Sequence, residues 1–89
     1  MKHLQIRVYG QVQGVFFRDS AKKEADKLGL GGFVRNESDG TVYIESEGEK
    51  EKLEEFLKWC RKGPPFSQVD KTEEKWSGEL KHFKEFETI

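Results

Sequence analysis

An arginine stands where a helix should repel it. The stretch Gly10-Gln11-Val12-Gln13-Gly14-Val15-Phe16-Phe17-Arg18 carries an alternating apolar run into a helical one and leaves Arg18 in the first helical turn. Aligned peptide dipoles place about half a positive charge at a helix N-terminus, so a cation there is disfavoured by about 0.3 to 1 kcal/mol. A bound anion reverses that sign. Free backbone N–H groups, glycines that permit close approach and a guanidinium fork are together the parts of a small phosphate or carboxylate site.

The other residues able to do chemistry each have an ordinary reading when taken singly. Gly10 and Gly14 read as turn glycines, and Asn36 ends a strand before a turn, where asparagine is favoured on conformational grounds. His3 and His82 have no carboxylate, cysteine or histidine at a metal-ligand spacing and read as surface histidines. Cys60 is the only cysteine, which rules out an intramolecular disulfide or a multi-cysteine metal site. It recurs with Leu53, Phe56 and Leu57 on one helical face, so it reads as a buried structural thiol rather than a nucleophile. Trp59 and Trp76 read as core-edge packing rather than as a stacking platform.

The elements that must hold these residues follow from hydrophobic period. Leu4, Ile6 and Val8 alternate with Gln5, Arg7 and Tyr9, the mark of a half-buried strand ending at Gly10. Over residues 19–28 the period becomes helical, with Ala21, Ala25 and Leu28 inward and the lysines outward, and Gly29 or Gly31 supplies the stop. Residues 32–36 and 41–45 read as two strands joined by a turn whose Asp39-Gly40 pair is a hairpin signal. Leu53, Phe56, Leu57 and Cys60 stripe a second helix, which Gly63-Pro64-Pro65 ends. Residues 69–76 give a fourth strand with an exposed outer face, and Phe83, Phe86 and Ile89 anchor the C-terminus. The order βαββαβ with right-handed crossovers predicts an α+β ferredoxin-like sandwich, an antiparallel sheet with both helices on one face. Fold alone does not select a function.

Eighty-nine residues suffice for one two-layer core, so residues 1–89 are expected to form a single domain. Charged residues make up 37% of the chain yet leave a net charge of -1, which argues against a general nucleic-acid binder. No apolar run approaches the ~18 residues of a membrane span, and the N-terminus lacks a secretory apolar region, so a cytoplasmic protein is expected.

Taken jointly, the motifs resemble those of the acylphosphatase family. Residues 10–18 look like that family's signature loop, and Gly32-Phe33-Val34-Arg35-Asn36 followed by Asp39-Gly40 and Val42 looks like its second motif. Leu28-Gly29, Gly63-Pro64-Pro65 and the Phe83 to Phe86 stretch extend the likeness over nearly the whole chain. The resemblance implies hydrolysis of acyl phosphates to a carboxylate and inorganic phosphate by a monomer, without metal or cofactor and with no nucleic-acid or membrane partner. It implies that Arg18 and the backbone N–H groups of Gly14, Val15, Phe16, Phe17 and Arg18 bind the phosphate, and that Asn36 orients the attacking water. Phe33 replaces the family's frequent tryptophan, which reads as a conservative core change, and Thr88 replaces an apolar residue near the end, leaving the last strand's register open. Two rival readings stand beside this one. The domain can serve as a non-hydrolytic accessory module, or the open sheet face with Arg7, Tyr9 and Tyr43 can bind RNA.

Overall fold

A computed structural model describes residues 1–89. The elements run β1 (Lys2–Gln11), α1 (Phe17–Lys27), β2 (Gly31–Asn36), β3 (Val42–Gly48), α2 (Lys50–Lys62), β4 (Gln68–Ser77) and β5 (Phe86–Thr88). The sheet order is β4-β1-β3-β2-β5, and the first four strands pair antiparallel. The βαββαβ order is thus the expected one. β5 adds a short parallel partner to β2, in the register Gly32↔Phe86, Phe33↔Glu87 and Val34↔Thr88, so the sheet is mixed at that edge. Ile89 prolongs the pairing by donating its N–H to the Val34 carbonyl at 3.0 Å.

Alternation in β1 sends Leu4, Ile6 and Val8 into one face of the sheet, where they are fully buried with Val34, Val42 and Ile44. Both helices cover that face. α1 contributes Phe17, Ala21 and Ala25, and α2 contributes Leu53, Phe56, Leu57 and Cys60. Alanines at positions 21 and 25 let the α1 backbone approach the sheet closely. Burial pushes the Cys60 thiol well above its ordinary pKa, so it remains a packing group. Trp59 sits at the core edge, stacked on Phe56 at 6.1 Å and tilted against Phe17 at 5.4 Å. Phe86 brings β5 into the same cluster edge-on to Phe56, at 5.8 Å.

β4 and β5 lie at opposite edges of the sheet, so residues 78–85 must cross its whole width. They cross the face opposite the helices. Two expectations change as a result. Phe33 is not a core residue: it lies on that open face, where it meets Tyr43 at 6.0 Å and the crossing Phe83 edge-on at 5.8 Å. His3 is not a surface histidine either, being only 3% exposed. Its Nδ1 lies 2.6 Å from Glu47 Oε2 on the neighbouring strand, and its ring stacks on Phe83. Nε2 approaches Glu45 Oε1 at 3.2 Å, too misaligned for a hydrogen bond.

Glu47 is the fastening of this crossing segment. Its carboxylate accepts the backbone N–H groups of Lys81 at 2.5 Å, His82 at 2.9 Å and Phe83 at 3.4 Å. Glu45 beside it accepts Tyr43 Oη at 2.7 Å and Lys81 Nζ at 2.8 Å. Burial alone would raise the Glu47 pKa, but the Lys81 N–H, the His3 contact and the Phe83 N–H outweigh it and hold the carboxyl below its usual range. A depressed folded-state pKa means stability that is complete above the unfolded glutamate value and lost as pH falls through the folded one. Glu47→Gln should therefore cost about 1 to 3 kcal/mol near neutrality, because several donors lose a charged acceptor. The difference from wild type should shrink as pH drops below about 4.3, the ordinary glutamate value. Urea titrations of both proteins at neutral and acid pH measure this, and a pH-independent difference would mean that ionisation of Glu47 contributes nothing.

Candidate active site

The loop joining β1 to α1 is shaped first by a β-bulge. Pairing between β1 and β4 shifts between Tyr9 and Gly10, leaving Asp70 without a partner. Gly10 has φ +129° and lies so close to β4 that a Cβ would collide with the Gln68 carbonyl oxygen. It is a bulge glycine pressed against another backbone. Beyond it Val12 turns into the core and Gln13 outward, and Gly14 follows at φ +73°.

Phe16 then adopts a left-handed conformation, φ 64° and ψ 22°, and is the N-cap of α1. That is a costly place for a bulky residue, about 1 to 2 kcal/mol. The next residue explains the cost. Phe17 is buried against Trp59 and Gly63, and removing such a ring from a core typically costs about 3 to 5 kcal/mol, so packing outweighs the strain. No side chain caps the helix. The first N–H to bond inside α1 is that of Ser20, to the Phe16 carbonyl at 3.1 Å, so those of Phe17, Arg18 and Asp19 meet no protein acceptor. Arg18 is exposed, and no carboxylate in the protein pairs with it.

Asn36 arrives from the other half of the fold. It is the last residue of β2, opposite Val42, and its side-chain Oδ1 is buried with no hydrogen-bond partner in the protein. The turn that follows is closed by Gly40 N–H to the Glu37 carbonyl at 3.1 Å, and Asp39 Oδ1 accepts both the N–H and the hydroxyl of Thr41. Gln13 joins the two halves. Its Nε2 donates to the Glu37 carbonyl at 2.7 Å and the Thr41 carbonyl at 3.0 Å, tying the loop before α1 to the turn after Asn36.

Between them lies a cleft of about 210 Å3 lined by Gly14, Phe16, Phe17, Arg18 and Asn36, together with Val12 and Asp19. Five of the six residues expected at the site are thus brought to one cleft. Val15 is not among its lining residues; its side chain packs against the core. Sequence reading did not single out Asp19 or the bridging Gln13. Asp19 carried a readable signal as an acidic group in a first helical turn, whereas the partners of Gln13 lie 24 and 28 residues away. The cleft is smaller than the ~300 to 1,000 Å3 of sites that enclose drug-sized molecules. It has room for a small polar group.

The molecule is a ferredoxin-like α+β domain whose first helix opens, uncapped, on a small cleft beside an unpaired arginine. The acylphosphatase family profile matches residues 4–88. An acylphosphatase of Bacillus licheniformis is 48% identical over 86 residues, covering 97% of this chain and 96% of that one. One from Thermococcus kodakarensis is 49% identical over 71 residues, 80% of this chain and 78% of the relative. The crystal structure of acylphosphatase from Bacillus subtilis superposes with a TM-score of 0.98 at 38% identity, covering 100% of this chain and 99% of that one. The chain belongs to the acylphosphatase family.

Replacing Gln13 by Leu removes both bonds between loop and turn without touching the cleft's lining. At about 0.5 to 1.5 kcal/mol per hydrogen bond, discounted for partial exposure, the loss should be about 1 kcal/mol. For a domain of this size that is a fall in Tm of about 4 to 8 °C. Calorimetry decides it, and an unchanged Tm would mean that the two bonds are replaced by water at no cost.

Proposed function

We propose that this chain hydrolyses the carboxyl–phosphate bond of acyl phosphates, acting as a cytoplasmic single-domain monomer without metal or cofactor. The observation that carries the reading is the meeting, in one small cleft, of unbonded N–H groups and an unpaired guanidinium with Asn36. The first set matches a phosphate and the second matches a water.

Arg18 and the loop N–H groups from Gly14 to Arg18 bind the phosphate oxygens and neutralise charge as the transition state forms. The Asn36 side-chain amide, at the edge of the same cleft, holds a water in line with the bond to be broken. The water oxygen bonds to phosphorus, the bridging P–O bond breaks, and its electron pair leaves with the carboxylate. The water's proton passes to a phosphate oxygen. An acyl phosphate already carries a good leaving group, so neither an acid for the carboxylate nor a metal to polarise the phosphoryl group is required. Positioning and electrostatics suffice, as in phosphoryl transfer generally.

The open sheet face offers little to a nucleobase. Tyr43, its central tyrosine, has the Arg7 guanidinium 5.0 Å and the Arg35 guanidinium 4.9 Å from its ring centre, from the strands on either side.

Purified protein treated with chelator should hydrolyse acetyl phosphate, and activity that returned only with a divalent metal would overturn the metal-free reading. Arg18→Lys should lose nearly as much kcat/KM as Arg18→Ala, about 100-fold or more, because an ammonium cannot reproduce a bidentate fork. Inorganic phosphate at a hundredfold excess over its Kd should stabilise the wild type by about 2.7 kcal/mol and the Arg18→Ala protein far less. Equal protection of both would place phosphate elsewhere.

Asn36→Ala should fail differently. Its kcat should drop by orders of magnitude while protection by phosphate persists, the mark of a group used mainly in the transition state. If Asn36 merely shaped the turn, the variant would lose about 1 kcal/mol of stability and keep its turnover. Tm, phosphate protection and kcat on one preparation separate the two.

A further inference from the structure

Phe16 is 68% exposed, holds a left-handed backbone conformation and lines the cleft. The burial of Phe17 accounts for the backbone but not for the residue. Glycine or asparagine would fill a left-handed N-cap with less strain, and neither would leave an aromatic ring in water.

We propose that Phe16 is the specificity-determining residue for the acyl group, and that its ring favours acyl phosphates with an aromatic or branched apolar acyl moiety over acetyl phosphate. The inference rests on the acyl-phosphate reading above. In-line displacement puts the departing carboxylate on the side of the phosphorus away from the water that Asn36 holds, so the acyl group needs a surface elsewhere in the cleft. Val12 and Phe17 are buried to within 1% and present only their edges. Arg18 and the loop amides are occupied by the phosphate. Asp19 is a carboxylate and repels a carboxylate leaving group. Phe16 remains, apolar and open at the rim. The cleft of about 210 Å3 is open to solvent beside Phe16, so an acyl group leaving the phosphate site can lie against that ring.

The test is the ratio of kcat/KM for benzoyl phosphate to that for acetyl phosphate. It is measured in the wild type, in Phe16→Asn, which keeps left-handed propensity and removes the ring, and in Phe16→Leu, which restores an apolar contact. The ratio should fall about three- to tenfold in Phe16→Asn, the range that one aromatic contact supplies. The loss should lie in KM for benzoyl phosphate, and Phe16→Leu should recover part of it. Phe66, 76% exposed but outside the cleft's lining, is the control, and Phe66→Ala should leave the ratio unchanged. A ratio unchanged in Phe16→Asn, or lowered as much by Phe66→Ala, would overturn the assignment. Failure of the wild type to hydrolyse either substrate would instead overturn the acyl-phosphate reading itself, and the assignment with it.

Discussion

The site depends on the burial of one side chain, Phe17. Its ring occupies the core beside Trp59, with Gly63 close enough that a Cβ there would touch it. Neighbouring residues on a helix point about 100° apart, so a buried ring at the first helical position turns the next side chain away from the core, while the left-handed backbone before it turns the preceding one outward. Phe16 and Arg18 are those neighbours, and both are exposed. The same anchoring accounts for the left-handed backbone of Phe16, and the phenylalanine there offers the helix end no capping group. What is unusual about the loop is therefore a product of packing one residue away from it.

The second half of the cleft is held by different means. Asn36 ends β2, and β2 is fixed on one side by β3 and on the other by the short parallel β5. β5 reaches that edge only because residues 78–85 cross the open face, where Glu47 and His3 hold them down. The cleft is thus shared between a helix start fixed by apolar packing and a strand end fixed by a polar fastening. Gln13 is the direct bond between the two, tying the loop before α1 to the turn after Asn36.

Most of this was legible in the sequence where the signal was local and periodic. The alternation of Leu4, Ile6 and Val8 and the stripe of Leu53, Phe56, Leu57 and Cys60 gave the strand and the helix their inward faces correctly. Asp39-Gly40 marked the turn that places Asn36. Where the signal was not local, reading failed. α1 begins at Phe17, just ahead of Arg18 and of the helical period that declares itself from about residue 19, and its N-cap is a phenylalanine with none of the capping chemistry that announces a helix. β3 runs on to Gly48, past the residues expected, because Glu47 looks like a solvent-facing charge until the C-terminal segment covers it. His3 was misjudged for the same reason, since its partner is 44 residues away. Phe33 was assigned to the wrong face because an apolar residue in a strand does not declare which side is covered.

The sheet leaves one long edge unpaired. β5 covers the β2 side, but β4 presents ten residues with no strand beyond them. An open edge of that length is a template for a second copy's backbone, and flat apolar edges are where folded chains begin to associate into fibrils. Here the edge carries Asp70, Lys71, Glu73, Glu74 and Lys75, and the bulge opposite Gly10 interrupts its register. An incoming strand would have to strip water from these charges and follow a kinked backbone. The bulge that aims the chain into the cleft thus also protects the protein in a crowded solution.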